Sequence, residues 1–377
     1  MIYLDYAAAT PMDESVFNAM KPYFTSKFFN PSATYLASQA VKKDLEAARV
    51  RVAHWFGSRP SEIIFTAGTT EANNLVINGV MQQFPDANLV VSAIEHESVL
   101  APARRYVCKE APVTPKGLID IDQLKQLIDD KTALVSVMYA NNEVGTVQPI
   151  HQLGQMIEEI RKDRRTRSIT FPIYLHTDAA QAANYLDLHA ARLKADFISI
   201  NGGKIYGPKQ SGALYVSAKA RLQPQIVGGG QERGLRSGTE NVAGAIGLSV
   251  ALDLVQADRH DEVRRLQQLQ HLFMQLIEEQ IPAARLNGSR TNRLPNNVHI
   301  TIPGCDNERI LMALDEVGIL CAAGSACSAS NEEPSHVLRA MGLTESEAQA
   351  SLRFTMGRQT DEKMVHTAVE TLAAIIM

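Results

Sequence analysis

The chain is predicted to be an α/β protein with a mostly parallel β-sheet that helices cover on both faces. Apolar segments of strand length alternate with segments whose apolar residues recur at helical spacing, which is typical of repeated strand and helix units. No repeat of fixed length and no low-complexity tract interrupts the 377 residues, so a solenoid and a long disordered linker are excluded. With 45% hydrophobic and 21% charged residues, the chain can bury a large core and is expected to form more than one domain.

The elements of the first domain follow each other in strand and helix order. Helical spacing indicates three helices, which contain Val41, Leu45, Ala48 and Val52, then Leu75, Val76, Val80 and Phe84, and then Leu153, Ile157 and Ile160. The predicted strands are EIIFT, NLVVSA, ALVSVMY, PIYLHTD, DFISI and GALYV.

A second, smaller domain is predicted after the glycine-rich segment GGGQERGLRSGTENVAG. A long amphipathic helix follows it, with Val263, Leu266, Phe273, Leu276 and Ile277 on one face. The strand NVHIT, a helix through Ile310 and Leu314, the strand SLRFTM and a helix from Asp361 to Ile376 complete it. We therefore predict a large domain of residues 13–255 and a small α+β domain of residues 1–12 and 256–377, against which the first dozen residues pack.

Charge and composition exclude several classes of partner. A net charge of -4 gives no electrostatic case for nucleic acid or an anionic membrane. No segment approaches the roughly 20 apolar residues that span a bilayer, and no signal peptide is visible at the N-terminus, so the sequence predicts a soluble cytoplasmic protein. The basic run at residues 161–167 is predicted to be a solvated helix end, with a docking patch as the alternative.

The four cysteines are predicted to be thiols, because their spacing fits neither a disulfide framework nor a CxxC metal or redox site. Cys108, Cys305 and Cys321 adjoin apolar residues and are predicted to be small buried side chains. Cys327 lies in AAGSACSASNEEPS, whose small and polar residues predict a surface loop with an exposed thiol. We interpret this thiol as a nucleophile that reacts and then presents its product outward.

Two residues at the ends of apolar runs point to pyridoxal phosphate chemistry. Lys204 follows two glycines, where the backbone can approach a ligand and a desolvated amine could bond an aldehyde. Asp178 closes the run IYLHTD, and a carboxylate at the pyridine nitrogen would keep that nitrogen protonated, so that the ring accepts electrons. A surface lysine and a helix-capping aspartate are the alternatives for the two residues taken singly.

Further candidate ligands follow other strands of the same predicted sheet. The segment AGTTEANN opens a helix, where free N–H groups with the Thr69 and Thr70 hydroxyls form a phosphate cradle or, alternatively, a simple cap. His96 follows NLVVSA and could stack on a cofactor ring and move protons. Asn142 lies in ANNEVGT, where an amide could bind the cofactor or substrate, or stabilise a turn. Arg353 in SLRFTMGR could hold a substrate carboxylate by two hydrogen bonds, although an arginine on a strand more often forms a surface ion pair.

Nearly the whole chain resembles the cysteine desulfurases of the NifS and IscS family, which are pyridoxal-phosphate-dependent and similar to class V aminotransferases. Motifs occur in the family's order throughout: LDYAAATP, FTAGTTEANN, EHESVL, NNEVGTVQ, TDAAQ, KIYGPKQSGALYV, GGGQERGLRSGTENVAG, GSACSAS with EPSHVLRAMGL, and SLRFTMGR. The resemblance implies the fold type I of pyridoxal phosphate enzymes, with a seven-stranded, mostly parallel sheet in the large domain. The segment after Cys327 resembles the subgroup with an extended catalytic loop.

The resemblance also implies a role for each matching residue. Lys204 would bond the cofactor aldehyde, Asp178 would pair with the pyridine nitrogen, and His96 would stack on the ring and shuttle a proton. Gln181 and Asn142 would lie near the ring oxygen and the substrate, and Arg353 would bind the substrate carboxylate. Thr70 would bind the phosphate, and Thr239 would reach the phosphate of a neighbouring subunit, which implies a homodimer with shared sites. No metal is expected.

The implied reaction removes sulfur from L-cysteine, leaves a persulfide on Cys327 and releases L-alanine. The persulfide would pass to an acceptor protein, either an iron–sulfur scaffold or a tRNA-thiolation enzyme. Two alternatives are a selenocysteine lyase or another C–S lyase on the same fold, and a degenerate homologue that only binds partners.

The chain departs from the family pattern beside the lysine. The family commonly has a serine three positions before the lysine and a histidine immediately before it, and this chain has Asn201 and Gly203. The Asn201 amide is expected to substitute for the serine hydroxyl, and no visible residue replaces the histidine, so cofactor affinity is expected to differ. The segment NPSATYLASQA also lacks a histidine usual in the family.

Overall fold

The computed structural model describes residues 1–324 and 334–376. Its strands, in chain order, are β1 Ile2–Tyr3, β2 Ile63–Thr66, β3 Asn88–Ser92, β4 Cys108–Ala111, β5 Thr132–Ser136, β6 Tyr174–Asp178, β7 Phe197–Asn201, β8 Gly212–Val216, β9 Arg285–Leu286, β10 Asn297–Thr301, β11 Ile319–Leu320 and β12 Ser351–Thr355.

The helices are α1 Glu14–Met20, α2 Leu36–Phe56, α3 Thr69–Gln83, α4 Glu97–Ala103, α5 Ile121–Leu127, α6 Ile150–Thr166, α7 Ala190–Leu193, α8 Val242–Ala257, α9 Arg259–Gln280, α10 Asn307–Glu316, α11 His336–Ala340, α12 Glu345–Gln349 and α13 Glu362–Ile376. Short 3-10 turns lie at Lys21–Phe24, Pro60–Glu62, Gly202–Lys204 and Glu232–Gly234.

The central sheet has seven strands in the order β2-β8-β7-β6-β5-β3-β4. The five neighbouring strands β7, β6, β5, β3 and β4 pair in parallel. In contrast, β8 runs antiparallel to β7, and β2 runs antiparallel to β8. The predicted fold class, a mostly parallel seven-stranded α/β sheet, is therefore confirmed. The edge strand β4 has the sequence CKEA, and its two charged residues explain why no strand was predicted there.

Buried apolar side chains alternate between the two faces of this sheet. Val90, Val135, Leu175 and Ile198 pack into one core cluster, and their preceding neighbours Leu89, Leu134, Tyr174 and Phe197 pack into another. Successive side chains of a strand point to opposite faces, so apolar runs of this kind need helices on both sides. With both faces covered, the strand ends are the parts of the sheet that can hold polar groups for a ligand.

The smaller sheets bring the two ends of the chain together. In one sheet β10 lies between β12 and β9 and pairs antiparallel with both. In the other β1 pairs in parallel with β11, which matches Ile2 with Ile319 and Tyr3 with Leu320. The first residues thus pack against the C-terminal part of the chain. The division at residues 255 and 256 stays a prediction, and it falls in the last turn of α8.

The basic run at residues 161–167 ends α6, as predicted, but it is only partly solvated. Arg164 is buried and donates to the carbonyl groups of four residues, Asp129, Thr132, Phe171 and Pro172. The prediction of a solvated helix end is therefore wrong for Arg164, because its guanidinium satisfies carbonyl groups at the adjoining chain segments. No helix within the described ranges is long and apolar enough to cross a membrane.

The three cysteines within the described ranges, Cys108, Cys305 and Cys321, are free thiols, as predicted. Each is partly rather than fully buried, so the prediction of buried side chains is wrong in degree. Cys327 lies outside the described residues.

Candidate active site

The ends of the parallel strands converge on one cavity of about 210 Å³. Most of the residues predicted for the site line it: Thr69, Thr70, His96, Asn142, Asp178, Gln181, Asn201, Lys204 and Arg353. All of them except Arg353 end or follow a strand of the central sheet or open α3, so this sheet brings them together. Arg353 comes from the middle of β12 in the three-stranded sheet. Thr239 is exposed, and the described residues that line this cavity do not include it.

The amine of Lys204 is held by the N-terminal segment of the chain. Lys204 ends the 3-10 turn that follows β7, and its Nζ donates to the carbonyl groups of Ala7 (2.8 Å) and Ala8. The Gln181 side chain donates to the same Ala7 oxygen at 2.9 Å, and Asn184 Nδ2 donates to the Lys204 carbonyl at 2.6 Å. The lysine is therefore fixed at both its amine and its backbone and is not a mobile surface side chain.

Asp178 is buried at the end of β6 and is oriented by two donors. Its Oδ2 accepts from Asn73 Nδ2 at 2.7 Å, and its Oδ1 accepts from the Ala180 N–H at 2.9 Å. Asn73 lies on α3, fully buried, and donates through the same nitrogen to Ser98 Oγ at 2.9 Å. Residue-by-residue reasoning did not assign Asn73 a role, although it lies in the quoted segment AGTTEANN.

His96 caps the N-terminus of α4 with its ring. Nδ1 accepts from the Ser98 N–H at 3.0 Å and lies 2.9 Å from Ser98 Oγ. These contacts assign the proton of the neutral ring to Nε2 and fix the plane of the imidazole at the cavity wall. Through Ser98 and Asn73, the histidine is linked by hydrogen bonds to the carboxylate of Asp178.

A second, wider cavity of about 620 Å³ adjoins the start of α3. It shares Thr69, Thr70, Asn201 and Lys204 with the first, so the two form one continuous site. Gly68 immediately precedes this helix, and its φ of 116° is a conformation that favours glycine. Beside it, Asn201 Nδ2 donates to Thr69 Oγ1 at 3.3 Å. Because Gly68 and not a threonine occupies the cap position, the prediction of a phosphate cradle is favoured over that of a simple threonine cap.

Arg353 is buried at the centre of β12 and forms an ion pair inside the protein. Its NH2 group lies 2.7 Å from Asp5 Oδ1, and its NH1 group donates to the Asn142 carbonyl at 2.9 Å. Only 1% of the residue is exposed, so the alternative of a surface ion pair is wrong. The guanidinium lines the cavity, and its Nε has no hydrogen-bond partner within the described part of the chain, which fits the prediction of substrate binding.

Replacement of Arg353 with lysine is expected to raise KM for the substrate by about 10- to 100-fold, with a smaller fall in kcat. Lysine keeps the charge beside Asp5 but loses the planar fork that can hold a carboxylate by two bonds. Steady-state kinetics measures the change. Arg285→Lys is the matched control, because Arg285 is an exposed arginine on β9. An unchanged KM in R353K would contradict the assignment.

Glu95, which precedes His96, is a fully buried carboxyl group that sequence reasoning missed. Its Oε1 accepts from the Met138 N–H. Burial raises the pKa of Glu95 well above its usual range, and the nearby negative charge of Asp178 raises this pKa further. The buried Glu95 carboxyl group therefore ionises less readily than an exposed glutamate does.

The chain enters and leaves residues 325–333 beside this cavity. On the N-terminal side, Ala322 exchanges both backbone hydrogen bonds with Arg353. On the C-terminal side, Ser335 Oγ donates to Glu143 at 2.6 Å, and His336 Nε2 lies 2.9 Å from the Glu95 carbonyl oxygen. Both ends of the segment that contains Cys327 are thus attached to residues that line or support the site.

Comparison with known proteins identifies relatives over the whole chain. The family model described as aminotransferase class-V matches residues 2–367. The cysteine desulfurase IscS of Dictyoglomus turgidum is 38% identical over 382 residues, which cover 100% of this chain and 94% of the relative. A NifS-like protein from Rickettsia africae has a similar solved structure, with a TM-score of 0.88, 30% identity and coverage of 100% and 99%. A structure of SspA in complex with cysteine is similar with a TM-score of 0.81 and 34% identity, over 94% of this chain and 99% of that one.

Proposed function

The chain belongs to the class-V aminotransferase family and is a pyridoxal-phosphate-dependent cysteine desulfurase, and on this basis we propose a role for each residue of the site. The observation that carries the assignment of roles is the convergence of Lys204, Asp178, His96 and Arg353 on one cavity. A buried carboxylate, an amine, an imidazole and a guanidinium are the groups that an amino-acid substrate and a charged ring require.

The residues present fit the cofactor. Asp178, oriented by Asn73, would hold the pyridine nitrogen, and the first turn of α3 with Thr69 and Thr70 would hold the phosphate. His96, Gln181, Asn142 and Asn201 lie at the walls of the cavity and would orient the ring. When bound, pyridoxal phosphate supplies a sink for the electrons that the substrate carbon releases.

The substrate L-cysteine would be held by Arg353 and deprotonated by Lys204. Arg353 binds its carboxylate, and the Asn142 carbonyl and Asp5 keep the guanidinium in place. The Lys204 amine then takes the α-proton, while the Ala7 and Ala8 carbonyls keep that amine at the cavity. His96, whose Nδ1 accepts from the Ser98 N–H, would move a proton at the substrate sulfur.

The Cys327 thiolate would attack the substrate sulfur. A sulfur–sulfur bond forms, the carbon–sulfur bond breaks with its electron pair kept on carbon, and a proton adds to that carbon. The α-carbon regains the proton that the Lys204 amine took. The products are alanine and a persulfide on Cys327. The persulfide sulfur passes on to an acceptor protein, for iron–sulfur cluster assembly or tRNA thiolation, and recovery of labelled sulfur on a co-purified acceptor would distinguish the two.

Incubation of the cofactor-loaded protein with L-cysteine tests the proposal directly. One alanine per chain is expected in a single turnover without an acceptor, together with a mass increase of one sulfur atom on the peptide that contains Cys327. Continued turnover with a thiol reductant is expected, because the reductant removes the sulfur. Alanine without any persulfide peptide, or turnover of selenocysteine alone, would support a lyase instead.

We also infer that the active unit is a homodimer. Thr239, which the resemblance places at a phosphate, is exposed on the connection before α8, where it could enter a neighbouring protomer. Large apolar side chains near the N-terminus are exposed as well: Phe24 by 65%, Phe28 by 67% and Leu36 by 83%. Sedimentation equilibrium is expected to give twice the mass of the chain, and a monomeric mass at micromolar concentration would overturn this inference.

A further inference from the structure

Gly203 has no side chain beside the phosphate cradle, and the stem of Lys209 is its neighbour there. A Cβ atom built on Gly203 would lie 3.4 Å from Asn201 Oδ1, 3.6 Å from Lys209 Cγ and 3.7 Å from Lys209 Cα. These are ordinary contact distances, so the stem of Lys209 lies directly beside the place that a side chain at position 203 would occupy. Lys209 also lines the wider cavity, together with Thr69, Thr70 and Asn201.

Lys209 is the positively charged side chain of this cavity that could bind a phosphate. Its charged lining residues within the described ranges are Glu71, Lys204 and Lys209. Glu71 is neutralised by Arg236, with 2.9 Å between Arg236 Nε and Glu71 Oε1, and it also accepts from the Ala67 N–H. The Lys204 amine is directed at the Ala7 and Ala8 carbonyls and is required by the cofactor aldehyde.

A phosphate ester carries about -1.5 to -2 charges at pH 7. The first turn of α3 supplies partial positive charge and N–H donors, but no full charge. Lys209 is exposed, and its long stem lets the ammonium group move without distortion of the backbone. The same cavity therefore contains a helix N-terminus, two threonines, an amide and one cation that the reaction does not use.

We propose that Lys209 binds the phosphate of pyridoxal phosphate and supplies the positive charge of the cradle, beside the gap at Gly203. This proposal rests on the proposed function, because it concerns the same cofactor. It gives the chain a local replacement for the histidine that the family commonly has at position 203. The replacement comes from the other side of the turn between β7 and β8.

Equilibrium titration of the cofactor-free protein with pyridoxal phosphate, followed by absorbance, tests the proposal. Lys209→Gln is expected to raise the Kd by about 10-fold or more and to weaken the dependence of Kd on salt concentration. Lys209→Arg is expected to keep a Kd near that of the unchanged protein. Lys219→Gln, at another exposed lysine, is the matched control and is expected to have no effect.

Titration with pyridoxal, which lacks the phosphate, separates phosphate binding from a general structural effect. K209Q is expected to bind pyridoxal as tightly as the unchanged protein does. Equal Kd values for pyridoxal phosphate in K209Q and the unchanged protein would overturn the proposal, and so would an equal loss of affinity for both ligands. An unchanged protein that takes up no pyridoxal phosphate would instead overturn the proposed function, so the two failures are distinguishable.

Discussion

Replacement of Lys204 with alanine is expected to lower desulfurase turnover by about 10³-fold or more and to abolish covalent attachment of the cofactor. The amine is the group that would both bond the aldehyde and take the α-proton, and it is fixed between the Ala7 and Ala8 carbonyls. The fold should survive, because Asn184 bonds the backbone carbonyl of residue 204 and not its side chain. Turnover assays and intact mass after borohydride reduction measure the two effects.

Lys219→Ala is the matched control for K204A, since Lys219 is exposed after β8 and away from both cavities. It should retain full turnover and show the mass of the attached cofactor after reduction. A K204A protein that still carries reduced cofactor on another lysine, or that retains more than a few percent of turnover, would mean that position 204 has been misassigned.

Replacement of Cys327 with serine is expected to eliminate the persulfide and to lower alanine formation by about 10³-fold or more. A serine hydroxyl stays protonated at neutral pH and is a poor nucleophile towards sulfur. The other thiols should not take over. Burial raises the pKa of Cys321 to about 12 and the pKa of Cys108 to about 11, so both remain protonated.

The residues that flank positions 325–333 support the prediction for C327S. Ala322 pairs with Arg353, and Ser335 bonds Glu143, so both flanks are attached beside the cavity in which the substrate would bind. Mass spectrometry after exposure to L-cysteine detects the persulfide, and Cys305→Ser serves as the control. C327S should bind pyridoxal phosphate normally. Persulfide on C327S at wild-type levels would reassign the nucleophile.

The sequence predicted the strands that are buried on both faces and failed on the short or polar ones. Every residue of β3, β5, β6 and β8 is buried, and each of these strands overlaps a run of three or more consecutive apolar residues. The strands β1, β9 and β11 have two residues each, and β4 is half polar. Their pairing depends on distant partners, which local patterns do not encode.

The same distinction explains which site residues were found. Lys204, Asp178 and His96 were recognisable because each is a reactive side chain at a strand end, where α/β sheets form sites. Asp5 and the Ala7 and Ala8 carbonyls were not, since a backbone carbonyl has no residue type and Asp5 meets Arg353 across 348 positions. Glu95 was missed because its burial, and not its chemical type, makes it unusual.

The pairing of the chain's two ends has a consequence for the protein while it is being synthesised. When Lys204 and the strands of the central sheet have left the ribosome, the partner that Asp5 requires, Arg353, has not yet been translated. The Asp5 carboxylate of a nascent chain therefore has no Arg353 guanidinium to pair with at that stage. The contact between Asp5 and Arg353 can form only after translation has passed residue 353, so we expect it to form late in the folding of this chain.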